Sequence, residues 1–188
     1  MVEVILHDVV VRTRRDAPWP SPGHHQTVLL RPRGQDRLVP IHFGPGLAPG
    51  DILTLQLVQQ TPTSALTYDL MARVLEAADA NLERVTLSWT DSGVYYATLT
   101  LRAGGQEHVV EAGPGDALNL ALRCGAPIML ADSLVERRSV PITGVFEALE
   151  ADYRRGLGSR PLTETQAEWR SLVAPEWQGE APVRAQGE

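Results

Sequence analysis

Asp116, Asn119 and Arg123 stand at i, i+3 and i+7, so on a helix turning about 100° per residue they share one polar stripe. Ala117, Leu118, Ala121 and Leu122 point the other way, toward a core. A carboxylate, an amide and a guanidinium in line can hold and polarise an anionic substrate. The same charges also suit the helix itself, because Asp116 falls in its positive first turn and Arg123 in its negative last turn. On that second reading the stripe is an ordinary solvated face, and the spacing alone does not separate the two.

Other residue types with chemical potential carry less. His24-His25 lies in a proline-rich loop with no third ligand at suitable spacing, which points to solvent exposure. His7 and His42 fall in strand-like runs and read as packing or surface residues. Cys124 is the only cysteine, which excludes an internal disulfide, and it has no nearby histidine to activate it. Its place beside an apolar helix face reads as that of a small buried hydrophobe. No serine sits in a Gly-x-Ser-x-Gly elbow, and Gly113-Pro114-Gly115 lacks the spacing of a dinucleotide or Walker loop.

These residues need a scaffold, and 188 residues with 43% hydrophobic content suffice for one sizeable core. The net charge of −6 argues against binding nucleic acid over the whole surface, although all 17 basic residues are arginine, the side chain suited to bidentate phosphate contact. No apolar run reaches the ~20 residues of a membrane span. No basic leader with an apolar block opens the sequence, so a soluble cytoplasmic protein is expected.

Glu107 to Ala131 reads as strand, turn, helix and strand, with Gly113-Pro114-Gly115 opening the helix and Gly125 and Pro127 closing it before Ile128-Met129-Leu130. Upstream, Val2 to Arg12 is a long strand, Asp16 to Gln26 a loop, and Thr27–Arg31 with Arg37–Phe43 a hairpin. Gly44-Pro45-Gly46 repeats the later tripeptide. If Asp51 to Gln60 is helical, the chain holds two strand–Gly-Pro-Gly–helix units and an internal duplication.

Leu70, Met71, Val74, Leu75 and Ala78 mark an amphipathic helix, capped by Ser64 or Thr67 and closed by Asn81. Val85–Trp89 and Val94–Arg102 are strands, and Val145, Leu149 and Tyr153 mark a last helix. The fold class expected is α+β, a mixed and largely antiparallel sheet with helices packed on it. The expected domain runs over 1–157, followed by a polar, partly disordered tail at 158–188.

Three segments together resemble the bifunctional nuclease family. Val28-Leu29-Leu30 with Arg37 to Gly44 matches a strand pair ending in Pro-Ile-x-Ile-Gly. Leu66-Thr67-Tyr68-Asp69-Leu70 matches Arg-Pro-x-Thr-His-Asp-Leu, and Glu111 to Ile128 matches Ala-Arg-Pro-Ser-Asp-Ala-Ile followed by Leu-Arg-x-x-x-Pro-Ile. The resemblance covers 2–136. The sequence departs from it at Tyr68, where the family has histidine, at Ser64 and Ala65 for Arg-Pro, at Gly113 for arginine, at Gly115 for serine and near Leu47 for glutamate.

The resemblance implies hydrolysis of DNA and RNA phosphodiesters at a site built from Thr67, Asp69, Asp116 and Arg123, with Tyr68, Asn119 and Arg123 meeting substrate. Such chemistry needs an activated water and relief of charge on phosphorus, so it further implies Mg²⁺ or Mn²⁺ on Asp69, Asp116 and Glu111. The losses favour the alternative of a catalytically silent regulatory or ligand-binding module. In either case a homo-oligomer, with a dimer favoured, is expected.

Overall fold

Val28 and Leu30 point to one side of a strand and Leu29 to the other, and all three are buried, so this sheet has cover on both faces. The computed structural model describes residues 1–12, 25–43, 67–90 and 94–154. Its strands are β1 (Val2–Arg12), β2 (His25–Pro32), β3 (Arg37–Phe43), β4 (Ala80–Trp89), β5 (Tyr95–Ala103), β6 (Gln106–Ala112), β7 (Ile128–Leu130) and β8 (Val140–Pro141). The helices are α1 (Thr67–Ala77), α2 (Pro114–Cys124), α3 (Asp132–Arg138) and α4 (Val145–Arg154), with a 3-10 turn at Ile142–Gly144 before α4.

The strand order is β6-β5-β4-β7-β1-β2-β3-β8, and every pairing is antiparallel except β4 with β7. The architecture is therefore α+β with a mixed, mostly antiparallel sheet. Among the described residues, two antiparallel groups, β4–β6 and β1–β3 with β8, are paired into one sheet only by the three residues of β7. Among the described residues no helix is long and apolar enough to cross a membrane.

The main core lies on the face that α2 covers. Ala117, Leu118, Leu120 and Ala121 pack there against Val85, Leu87 and Leu99 and against Val28, Leu30, Val39 and Ile41. Residues of both outer groups share this one cluster, so the sheet curls around it. Tyr95, on β5, donates its hydroxyl hydrogen to the Pro40 carbonyl on β3 at 3.2 Å although four strands lie between the two in the sheet order. On the opposite face, Val145 and Leu149 of α4 cover Leu29 and Leu38.

That second face also holds a buried polar chain. Thr27 and His42 face each other across β2 and β3, with Thr27 Oγ1 2.9 Å from His42 Nδ1. His42 Nε2 lies 3.0 Å from Asp152 Oδ2, and Arg138 Nη2 donates to the same oxygen at 2.9 Å. Because the carboxylate only accepts, Nε2 carries the proton and Nδ1 is left to accept from the threonine hydroxyl when the ring is neutral. The Arg138 guanidinium lies 5.6 Å from the centre of the Trp89 ring, so its charge is covered as well as paired. The residues come from β2, β3, α3 and α4 and fasten both helices to the sheet.

Three expectations need correction. Leu70, Met71 and Val74 do not form the buried face of α1: all three are exposed, and Tyr68 with Leu75 packs inward instead. The helix is turned because Tyr68 has a polar partner on α2. Asn81 does not close α1; it lies in β4, and Asp79 takes the left-handed turn with φ of 51°. Asn119 does not share a solvated stripe, since it is fully buried. The loop expected over 16–26 ends earlier, since His25 and Gln26 already pair in β2; its residues 16–24, the segment 51–60, the first Gly-Pro-Gly tripeptide and the 158–188 tail lie outside the described residues, and the duplication is not confirmed.

Removing Asp152 would leave the Arg138 charge in a buried setting with its carboxylate gone. Asp152→Ala is expected to cost about 3–5 kcal/mol, read as a lowered urea midpoint. A loss under ~1 kcal/mol would show that the chain behaves as an exposed ion pair.

Candidate functional site

The N-terminus of α2 is set by Gly113, which is extended (φ −64°, ψ 145°), followed by proline at the first helical position. Its C-terminus is set by Gly125, which takes φ of 67°, a left-handed conformation that suits a residue without Cβ. These two glycines fix the length of α2, with Asp116 in its first turn and Arg123 in its last, as the spacing predicts.

α1 packs across α2, and two polar contacts join them. The Tyr68 hydroxyl donates to Asp116 Oδ1 at 2.6 Å, and Arg123 Nε lies 3.2 Å from Asp69 Oδ1. Thus adjacent residues at the start of α1 reach opposite ends of α2. The Arg123 contact is an ion pair without hydrogen-bond alignment, because its buried Nε makes no geometrically acceptable bond. Both partners are about one-quarter exposed, so the pair sits at the boundary of the fold rather than within it.

Tyr68 is 7% exposed, and burial followed by the Asp116 carboxylate pushes its phenol well above the usual tyrosine range. The phenol therefore stays protonated and keeps donating. Asp116 itself is exposed, and its second oxygen lies above Gly113: a Cβ there would come within 3.2 Å of Oδ2. Glycine at this position leaves the carboxylate room to fold back over the helix terminus.

Of the remaining expected residues, Thr67 is exposed at the first position of α1. Asn119 donates to the Gly115 carbonyl at 2.9 Å from a fully buried position, so it shapes the first turn of α2 and does not face a ligand. Glu111 is exposed on β6 opposite Thr98. Among the described residues no three His, Cys, Asp or Glu side chains gather in a way that could hold a metal ion. Asp69 is engaged by Arg123 and Asp116 by Tyr68, so this donor set does not fit a metal centre as it stands.

Beside Arg123 an open cleft of about 410 Å³ runs between the second half of α1 and the start of β4, lined also by Arg73, Glu76, Asp79, Asn81 and Cys124. Burial pushes the Cys124 thiol up, which keeps it neutral and poorly nucleophilic. The sequence reading missed Arg73, which shows no motif, and the His42–Asp152 pairing, which spans 110 positions.

A family model described as the bifunctional nuclease domain matches residues 28–143. Two uncharacterised proteins, from two strains of Mycobacterium tuberculosis, are each 30% identical to the chain over 122 residues, covering 65% of this chain and 71% of the relative.

The raised Tyr68 phenol has a consequence for stability. Its protonated form is favoured in the folded state, so its contribution is complete below the ordinary value of 10.0 and is lost as pH rises through the folded value. Alkaline titration of the unfolding free energy should show a fall beginning near that pH, and Tyr68→Phe should flatten it. An unchanged slope in the variant would show that the folded state does not raise the Tyr68 phenol.

Proposed function

Since the chain belongs to the bifunctional nuclease domain family, we propose that it hydrolyses phosphodiester bonds of DNA and RNA at the junction of α1 and α2, in a cytoplasmic setting. One observation carries this reading: Tyr68 and Asp69 from one motif contact Asp116 and Arg123 from another, so two distant segments converge on one boundary of the fold.

Asp116 is the general base. With Oδ1 fixed by the Tyr68 hydroxyl, its other oxygen takes a proton from a water that attacks phosphorus. The new P–O bond forms as the bond to the leaving sugar oxygen breaks, and that oxygen takes its proton from solvent. Arg123 offsets the charge that builds on the non-bridging oxygens, and Asp69 positions the guanidinium. Thr67 lies exposed beside Asp69's turn and supplies a hydroxyl to a phosphate oxygen. Arg73 lines the same cleft as Arg123 and offers a second guanidinium to the backbone of a bound strand. With Asp69 and Asp116 already engaged by protein partners, no step passes through Mg²⁺ or Mn²⁺ on Asp69, Asp116 and Glu111.

The second reading is a catalytically silent, homo-oligomeric module of the same fold. The observation favouring it is that both carboxylates already hold protein partners.

Purified protein incubated with single-stranded DNA and with RNA, in Mg²⁺, in Mn²⁺ and in EDTA, separates the two. Cleavage is expected, reduced about 10²–10⁴-fold by Asp116→Asn and about 10²–10³-fold by Arg123→Ala with melting temperatures preserved. Absence of cleavage in all three conditions would establish the silent module. Cleavage that persists unchanged in the Asp69→Ala, Asp116→Ala double variant would move the site elsewhere.

A further inference from the structure

Asp69, Arg73 and Glu76 recur at i, i+4 and i+7, so they share one polar stripe along α1. Arg123 pairs with the first of them. The next two line the open cleft, together with Asp79 in the turn after α1 and Asn81 on β4. Arg73 and Glu76 carry opposite charges three residues apart, a spacing at which helix side chains meet. Yet among the described residues neither of them, nor Asp79, makes an ion pair or a side-chain hydrogen bond. The less exposed part of the lining is apolar, from Ala72, Leu75, Leu82 and Cys124. A volume of about 410 Å³ with apolar lining and a few polar groups is that of a small-molecule site.

The chemistry of this lining selects a ligand. The guanidinium groups of Arg73 and Arg123 suit a phosphate, and the apolar surface suits the face of a planar base. Glu76 and Asp79 can only accept hydrogen bonds when ionised, so a base that meets them must present donors. Guanine presents N1–H and an N2 amino group side by side, which match the two oxygens of one carboxylate, and its neighbouring O6 accepts from an amide such as that of Asn81. Adenine and cytosine set a ring-nitrogen acceptor beside their amino group, and uracil flanks its one N–H with carbonyls. Each of these turns an acceptor toward the carboxylate.

We propose that this cleft binds a guanosine nucleotide, with the base read by Glu76 and Asp79 and the phosphate held by Arg73 and Arg123. Placing the phosphate on Arg123 rests on the hydrolytic reading, and it makes the cleft the specificity subsite of that reaction. Single strands are then cut next to guanosine. The base contacts themselves are separate from the bond-breaking groups, since Asp116 and Thr67 do not line the cleft.

Titration calorimetry with the monophosphates of guanosine, adenosine, cytidine and uridine, in EDTA, tests the site without turnover. Guanosine monophosphate should bind at least about tenfold tighter than the others. The double variant Glu76→Gln, Asp79→Asn should remove that preference, whereas Arg73→Ala should weaken all the nucleotides alike, because it meets phosphate and not the base. Both carboxylates are exposed, and asparagine tolerates the left-handed backbone of Asp79 (φ 51°), so the double variant keeps the fold. No binding, equal binding of all the nucleotides, or a guanosine preference that survives the double variant would overturn the proposal. Guanosine-selective binding without cleavage of single-stranded RNA would uphold the site and dismiss the hydrolytic reading. Cleavage with no base preference would do the reverse.

Discussion

The sheet depends on three residues. Ile128, Met129 and Leu130 pair in parallel with Val85–Leu87 on one side and antiparallel with Val2–Val4 on the other, and among the described residues no other strand joins the two groups. A parallel neighbour requires a crossover, and here the crossover ends in α2. The Pro127 carbonyl accepts from Val85 N–H at 3.0 Å and the Leu87 carbonyl from Ala131 N–H at 3.1 Å, so both ends of this short strand are fastened to β4. Gly125 sets where the helix stops, and so where β7 begins. The position of α2 and the continuity of the sheet are one constraint.

That constraint also places the polar contacts on α2. With its apolar side held in the core by Leu118, Leu120 and Ala121, its outer ends are fixed, and α1 can lie across it in only one rotation that satisfies both Tyr68 and Asp69. The result is a pair of anchored charges rather than mobile ones. A carboxylate held by a phenol loses little orientational freedom when a substrate arrives, which favours function through positioning. The same anchoring would serve a rigid binding module.

How much of this was legible in the sequence follows from the range of the interactions. Gly113, Pro114, Gly125 and Pro127 act locally, and the limits of α2 read directly from them. The orientation of α1 did not, because periodicity weighs Leu70, Met71 and Val74 as core and cannot weigh a hydroxyl whose partner is 48 positions away. Asn119 misled for a related reason: an amide that bonds back to the Gly115 carbonyl satisfies itself and can be buried beside leucines. The family motifs identified Asp69, Asp116 and Arg123 as neighbours of interest, but that Asp69 pairs with Arg123 and Tyr68 with Asp116 is a matter of tertiary packing.

The double pairing of β7 also bears on how the chain reaches this state. β4, β5 and β6 are joined by short connections, as are β2 and β3, so these pairings can form from contacts close in sequence, whereas β8 reaches β3 from the far end of the described chain. β1 finds its β7 partner only after nearly the whole described chain has been made, and closing so large a loop brings its entropy cost before any reward. The β4–β6 meander and the β2–β3 hairpin should therefore wait for α2 to dock and present Ile128–Leu130, making this short strand the step at which folding becomes cooperative. Until then the apolar edge of β1 is open, and the slowest contact to form is also the one that protects the chain from aggregation.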